Sequence, residues 1–452
     1  MPKIEPRLPK GMRDFLPADM LKREYVFSVV KEVFHLYGFE PIQTPVLELS
    51  ETLLGKYGQD AENLIFKVQH SRSSKEPLAM RYDLTVPLAR VVALHENQLT
   101  LPFKRYHMAP VWRGERPQRG RYREFYQCDA DIVGVPDMSA DAEIIGVVVT
   151  ALKRLNFPQF TVKVNNRKLL TGMGVYSGVP ENQLAELYRS VDKFDKIGAD
   201  GVEKELKSHQ IEPEVVNRMM HLIQIKDGGL ESLNALESKM QDIPIAVEGI
   251  SELRQLAEAL DHAYISLEHF EFDFTMVRGL GYYTGPIFET VITDPNLGSV
   301  TGGGRYDNLI GLFRRESLPT TGTSLGIERM IDVMDLLNLY PAELNRTVVE
   351  VLVTIFDEKG KAEATRLAAE LRASGVATEF YMNGQTRLGK QIGYADRKGI
   401  PLVAFIGPDE IAAGQVKLKH MGNGDEYIIN RDVVASKVYE LLQKQPVRES
   451  AR

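Results

Sequence analysis

The sequence predicts an α+β domain built on an antiparallel sheet, interrupted by a helical insertion and followed by a smaller α/β domain. Three observations predict it. Residues 78–84, 103–112 and 125–133 are rich in β-formers and joined by loops, the pattern of antiparallel strands. From about 169 to 269 the pattern turns charged and helical, with Leu184, Leu187 and Val191, then Leu253, Leu256 and Leu260, at helical spacing. Beyond Arg346, strands and helices alternate, as in a parallel sheet flanked by helices. At 452 residues the chain exceeds one ordinary core. The expected division is 1–168 and 270–345 as two parts of one domain, 169–269 as the insertion and 346–452 as the last domain.

Residues 22–37 form an amphipathic helix, because Val26, Val29, Val30, Val33 and Phe34 share one face and Gly38 ends it. The following run, 39–48, is extended, and Pro41 and Pro45 confine it to an edge or an interface. A helix at 147–155 and a strand at 160–165 precede the insertion, and strand-like, Gly-rich sequence resumes at Phe272. In the last domain the expected order is strand 348–355, helix 361–373, strand 376–381, helix 388–398 and strand 402–406.

Composition excludes several classes. With 43% hydrophobic and 26% charged residues the chain is neither disordered nor membrane-embedded, and no apolar run approaches the roughly 20 residues of a bilayer span. Residues 1–16 lack an apolar signal segment, so a cytoplasmic location is expected. Cys128 is the only cysteine, which excludes an intrachain disulfide and a cysteine metal cluster. The net charge of −7 does not favour nucleic acid, so any such contact must be concentrated in a patch. Residues 104–123 supply one, with seven Lys or Arg against Glu115 alone.

Three segments carry chemistry. Arg113, Arg116, Arg119, Arg121 and Arg123 offer fixed charges with paired donors for phosphate or carboxylate. Gln127 and Asp131 follow on one face of one strand, so both can line one pocket. The run Arg278-Gly279-Leu280-Gly281-Tyr282-Tyr283-Thr284-Gly285 places one cation and two phenols in a Gly-bounded turn. In Gly322-Thr323-Ser324-Leu325-Gly326-Ile327-Glu328-Arg329, two glycines allow close backbone approach and a helix presents Arg329 from its first turn. The turn at 302–307 has two readings: a pocket floor with Tyr306 facing the substrate, or a hairpin connection with an exposed Arg305.

Together these segments resemble the class II aminoacyl-tRNA synthetases, and within them the histidyl-tRNA synthetase family, almost from end to end of the chain. The resemblance implies a class II antiparallel sheet, a C-terminal anticodon-binding domain, and a homodimer formed through the extended segment around Pro45. It implies ligation of L-histidine to its tRNA, with ATP and Mg2+, through a histidyl-adenylate. Arg113, Gln127 and Arg278 would be catalytic. Histidine would be held by Asp83, Leu84, Thr85, Arg113, Gln127, Asp131, Arg278, Tyr282, Tyr283 and Tyr306. ATP would be held by Arg113, Glu115, Arg121, Phe125 and Arg329, the acceptor end of tRNA by Arg116, Gln118 and Arg123, and no metal by protein His or Cys. Two positions depart from the family pattern: Gly281 stands where Asp is usual, and Gly114 where bacterial members often have His. A regulatory paralogue of ATP phosphoribosyltransferase on the same fold typically lacks both the signature arginine and the last domain, which this chain has. A non-catalytic RNA-binding protein would have no need of the convergent arginines.

Overall fold

A computed structural model describes residues 4–57, 62–69, 76–180, 183–191, 193–209, 211–223, 225, 229–265, 267–277, 281–342, 344, 346–357, 360–383 and 386–443. Contacts divide them into two units. One comprises Tyr25–Tyr340 with the described residues up to Asp14, and the other comprises Phe15–Glu24 with those from Pro341 onward. No helix among the described residues is long and apolar enough to cross a membrane.

The first unit is organised by an eight-stranded sheet. Its strands are β1 (Glu40–Pro41), β5 (Phe103–Trp112), β6 (Glu124–Val133), β7 (Thr161–Asn166), β8 (Phe270–Phe272), β9 (Pro286–Val291), β10 (Thr301–Arg305) and β11 (Thr320–Gly326). They lie in the order β1-β5-β6-β11-β10-β9-β7-β8, antiparallel except at the two edges, where β1 pairs with β5 and β7 with β8 in parallel. A separate three-stranded sheet joins β2 (Leu47–Leu49), β4 (Leu78–Met80) and β3 (Lys67–Val68). The run at 39–48 is therefore not one strand but two short ones in different sheets. Pro41 and Pro45 lack the N–H that a continuous ladder needs.

The strand expected at 78–84 stops at Met80, and a helix, Thr85–Leu94, follows. Asp83 caps its first turn by accepting the Val86 N–H at 3.1 Å. Pro87 sits early in the helix, where its missing N–H costs nothing. The helix expected at 147–155 begins earlier, at Ser139, and is buried on nearly all sides, including every residue from Ile144 to Val149.

Between β7 and β8 the chain is helical. Helices run Arg167–Ser177, Leu184–Val191, Phe194–Ser208, Pro213–Ile223, Leu230–Met240 and Pro244–His262. The first and last of these cross closely because glycines line the crossing. A Cβ on Gly172 would stand 2.4 Å from that of Ala246, and one on Gly249 would stand 2.5 Å from the Leu169 nitrogen. Sheet and helices share one continuous apolar core, from Val26 to Met334.

The second unit holds a five-stranded sheet in the order β13-β12-β14-β15-β16. Here β12 (Val351–Val353), β13 (Thr378–Phe380) and β14 (Leu402–Phe405) are parallel, with helices Lys361–Ala373 and Leu388–Lys398 between them. The expectation of a purely parallel sheet is corrected by β15 (Gln415–His420) and β16 (Glu426–Asn430), an antiparallel hairpin at one edge. There Lys417 and Lys419 lie on a half-exposed face and alternate with the buried Val416 and Leu418.

Candidate active site

Register builds the site. On β6, Gln127, Asp129 and Asp131 project from one face, because successive side chains alternate. They stand opposite Ala109, His107 and Arg105 of β5 and opposite Gly326, Ser324 and Gly322 of β11. Over this face opens a cavity of about 500 Å³, also lined by Asp83, Tyr282, Tyr306 and Arg113. Glycine is obligatory beside the acids: a Cβ on Gly322 would lie 1.9 Å from Asp131 Oδ1. Gly303 is equally restricted, since its Cβ would come 2.0 Å from the Gly322 carbonyl.

The inner end of the cavity is acidic and buried. Asp131 accepts the Tyr306 hydroxyl on Oδ1 and pairs through Oδ2 with Arg105 Nη2 at 2.7 Å. Arg105 is fully buried. Asp83 Oδ1 accepts the Tyr57 hydroxyl at 2.9 Å in addition to the Val86 N–H. Gln127 Nε2 donates to Ser324 Oγ at 2.8 Å. Four carboxylate or amide oxygens here are buried with no hydrogen-bond partner among the described residues: Asp83 Oδ2, Gln127 Oε1, Asp129 Oδ1 and Asp131 Oδ2, the last held by its ion pair with Arg105. Burial raises the carboxyl pKa of Asp83 and of Asp131, and lifts that of Asp129 to about 8, with Arg105 opposing the rise at Asp129 and Asp131. Burial likewise pushes the phenols of Tyr57, Tyr282 and Tyr306 well above their usual value, so all three stay neutral donors. His107, buried between Arg105 and Arg81, falls to about 3 and is uncharged.

The outer end is cationic. Arg113 donates through Nε to the Tyr82 carbonyl at 3.1 Å, and its guanidinium lies 4.4 Å from the Tyr82 ring and 5.1 Å from the Phe125 ring. Two aromatic faces thus fix its plane while the cation keeps its charge. Arg121 pairs with Glu115 at 3.0 Å. The loop between β5 and β6 closes on itself through the Gln118–Arg121 backbone pair, with Gly120 at φ +70°. Arg329 reaches across from the helix Ile327–Leu337 to the Gly120 carbonyl at 3.1 Å and the Ser299 carbonyl at 2.6 Å.

An N-terminal arm latches this loop. The Arg123 N–H donates to the Gly11 carbonyl at 2.9 Å, Arg13 lies 3.4 Å over the Tyr122 ring, and Arg13 pairs with Glu328 at 2.5 Å.

Of the residues expected from sequence, the cavity wall gathers Asp83, Thr85, Arg113, Glu115, Arg121, Phe125, Gln127, Asp131, Tyr282, Tyr283, Tyr306 and Arg329. Leu84 is not on that wall; it is fully buried in a small core with Ala109 and Val111, and its carbonyl faces Arg105 Nη2 at 3.4 Å. Arg116, Gln118 and Arg123 belong to the outer loop rather than the cavity, and Arg116 and Gln118 are exposed. Arg278 lies outside the described residues.

The reading of Arg305 as exposed is corrected: it is 1% exposed, pairs with buried Asp141 and donates to the Val135 carbonyl at 3.0 Å. It is thus an anchor of β10. Gly114 donates to the Leu64 carbonyl at 2.7 Å, and a Cβ there would meet that carbonyl at 3.1 Å. A side chain at 114 therefore requires Leu64 to shift.

Sequence reasoning missed Tyr57, Tyr82, Asp129 and Ser324, although the last three line the cavity. Only Asp129 carried a usable signal, since it falls between Gln127 and Asp131 at the strand period of two.

Comparison with known proteins adds an independent line. The family model described as Histidyl-tRNA synthetase matches residues 11–330, and that described as Anticodon binding domain matches residues 350–441. A histidine–tRNA ligase of Cytophaga hutchinsonii is 40% identical over 455 residues, covering 96% of this chain and 99% of that one. One from Bacteroides fragilis is 39% identical, covering 95% and 98%. A crystal structure of histidyl-tRNA synthetase from Nostoc sp. PCC 7120 superposes with a TM-score of 0.84 at 30% identity, covering 97% of this chain and all of that one.

Proposed function

Since the chain belongs to the histidyl-tRNA synthetase family, we propose that the two ends of its cavity divide the work of histidine activation. The enzyme attaches histidine to tRNA at the expense of ATP, through an adenylate. The observation that supports the division is one cavity with acceptors at its inner end and guanidinium groups at its outer end.

Histidine enters with its ammonium toward Asp83 Oδ2 and Gln127 Oε1, two open acceptors of the wall, beside Thr85. Its carboxylate meets Arg113, which is pre-aimed by Tyr82 and Phe125, and the α-phosphate of ATP meets the same guanidinium. The carboxylate oxygen then attacks that phosphorus in line, pyrophosphate leaves, and Arg113 with Arg278 neutralises the charge that develops. Little covalent help is needed, so positioning and charge carry the catalysis. Gln127, locked by Ser324, keeps the amino acid in the attacking pose. Glu115 takes the adenine amino group, Phe125 stacks on the base, and Arg121 and Arg329 hold the outer phosphates. Tyr282, Tyr283 and Tyr306 enclose the side chain.

No three His, Cys, Asp or Glu side chains gather as a metal-ligand set among the described residues. Magnesium would arrive on the ATP phosphates at the cationic end of the cavity. Magnesium would neutralise phosphate charge there.

In the second half-reaction Arg116 and Arg123 hold acceptor-end phosphates and Gln118 reads a base edge. The unit beyond 346 reads the anticodon, the segments 1–168 and 270–345 form the catalytic domain around the 169–269 insertion, and the enzyme works as a cytoplasmic homodimer. ATP–pyrophosphate exchange with each amino acid in turn tests the reading. Exchange should require histidine; exchange with another amino acid, or with none, overturns it.

A further inference from the structure

Asp131 is one of the residues that the resemblance places around histidine; its Oδ1 accepts the Tyr306 hydroxyl, and its Oδ2, though without a hydrogen bond, is ion-paired with Arg105. Its neighbour differs. Asp129 is 2% exposed, lines the same cavity, and has Oδ1 without a partner among the described residues. The strand itself acts as a ruler: two residues advance about 7 Å. Starting from Arg113 beyond the end of β5, the side chains on this face run Gln127, Asp129, Asp131 toward the interior. With the amino acid's carboxylate at Arg113 and its ammonium at Gln127 and Asp83, a histidine side chain spans one such step. It reaches Asp129 before Asp131.

We propose that Asp129 is a further specificity-determining residue, whose Oδ1 shares a proton with the ring of the bound histidine. This rests on the histidine reading above.

The surroundings suit that role. Arg105 and His107 face the carboxyl from β5, Asp131 flanks it on its own strand, and Ser324 hydrogen-bonds it from β11. Asp83, Arg81 and Tyr282 act on it electrostatically. Burial favours the protonated form of this carboxyl. A ring nitrogen with a free lone pair accepts that proton, leaving an aspartate–imidazolium pair and no unpaired charge. A side chain without a basic nitrogen cannot complete the exchange, and leaves a buried acid unmatched.

The test compares histidine with 1,2,4-triazole-3-alanine, which has the same shape and a much less basic ring, in pyrophosphate exchange. For the unmodified full chain, KM for the triazole should be at least tenfold above that for histidine. In Asp129→Asn and Asp129→Ser, KM for histidine should rise at least tenfold, KM for ATP should move less than twofold, and the gap between the two amino acids should shrink toward unity. Equal KM values in the unmodified chain, or a gap unchanged in both variants, overturns the proposal. Absence of any histidine-dependent exchange in the unmodified chain would instead overturn the underlying histidine reading.

Discussion

The inner and outer ends of the cavity are built from opposite materials. At the inner end, Asp83, Asp131, Tyr57 and Tyr306 are buried and hold one another through hydrogen bonds within the chain. At the outer end, Arg121 keeps 47% of its side chain exposed and pairs with Glu115, and Arg116 and Gln118 are exposed. A buried network keeps its geometry without ligand, and loses a full desolvation cost when one member is removed. An exposed arginine costs the fold little and gains its effect only when a phosphate arrives. The inner end should therefore report mutations as both stability and histidine affinity, and the outer end as ATP or tRNA affinity alone.

Arg113 stands at the junction, so its loss gives the largest expected effect. Removing one preorganised donor of this kind costs on the order of 3 kcal/mol, or roughly a hundredfold in rate. Arg113→Ala should depress the exchange rate by that factor with the melting temperature nearly unchanged. Arg113→Lys should recover little, because a point charge cannot lie flat between the Tyr82 and Phe125 rings. A fall in melting temperature comparable to that of inner-end variants would erase the distinction between the two ends.

Tyr306→Phe is the next test. It removes a donor from Asp131 Oδ1 and leaves a buried acceptor, at about 1–3 kcal/mol. Unfolding in urea should show that loss, and KM for histidine should rise with it. The matching outer variant, Arg121→Ala, should raise KM for ATP severalfold and leave the urea midpoint in place. Identical responses from the two would mean that the cavity has no such polarity.

A pH test follows from Asp129. Its carboxyl pKa rises from 3.8 to about 8 on folding, through burial. Between those values the folded state holds a proton that the unfolded state has released, so stability declines as pH rises through that window and levels off above it. Asp129→Asn removes the titrating group. Melting of the unliganded protein from about pH 5 to pH 8 should thus be less pH-dependent in the variant. Parallel pH profiles for both proteins would show that Asp129 does not carry this proton.

What was legible in the sequence divides along the same line. Strands β5 and β6 were plain because ten-residue runs of β-formers leave a strong period. Arg113, Gln127 and Asp131 were plain because motif spacing fixes them relative to those strands. Tyr57 was invisible, since its bond to Asp83 joins residues 26 apart that no local pattern links. Ser324 was read only as part of the run 322–329. Arg305 looked like a surface residue because its partner, Asp141, lies 164 residues away on another element. The helix Thr85–Leu94 was hidden behind Pro87, a residue that propensity reads as a breaker, although the Asp83 cap and early proline favour a helix start. Local periods survive in sequence, whereas long-range polar pairs do not.

Gly281 sets the smallest and most discriminating test, because it stands where the family usually carries a carboxylate. Its backbone is not in the left-handed region, it is exposed, and a Cβ added there meets nothing within 4 Å. Neither strain nor crowding therefore keeps Asp out. Replacing a glycine whose conformation other residues share restricts the unfolded chain and stabilises by about 0.4–1 kcal/mol. Gly281→Asp should thus raise the urea midpoint slightly, with KM for histidine within twofold, because an exposed carboxylate is screened from Asp83 and Asp129. That outcome makes position 281 a matter of backbone stiffness, outside the acid network of the inner end. A KM lowered severalfold would instead extend the histidine pocket to this turn, and the boundary drawn here between buried network and exposed surround would have to move outward to include it.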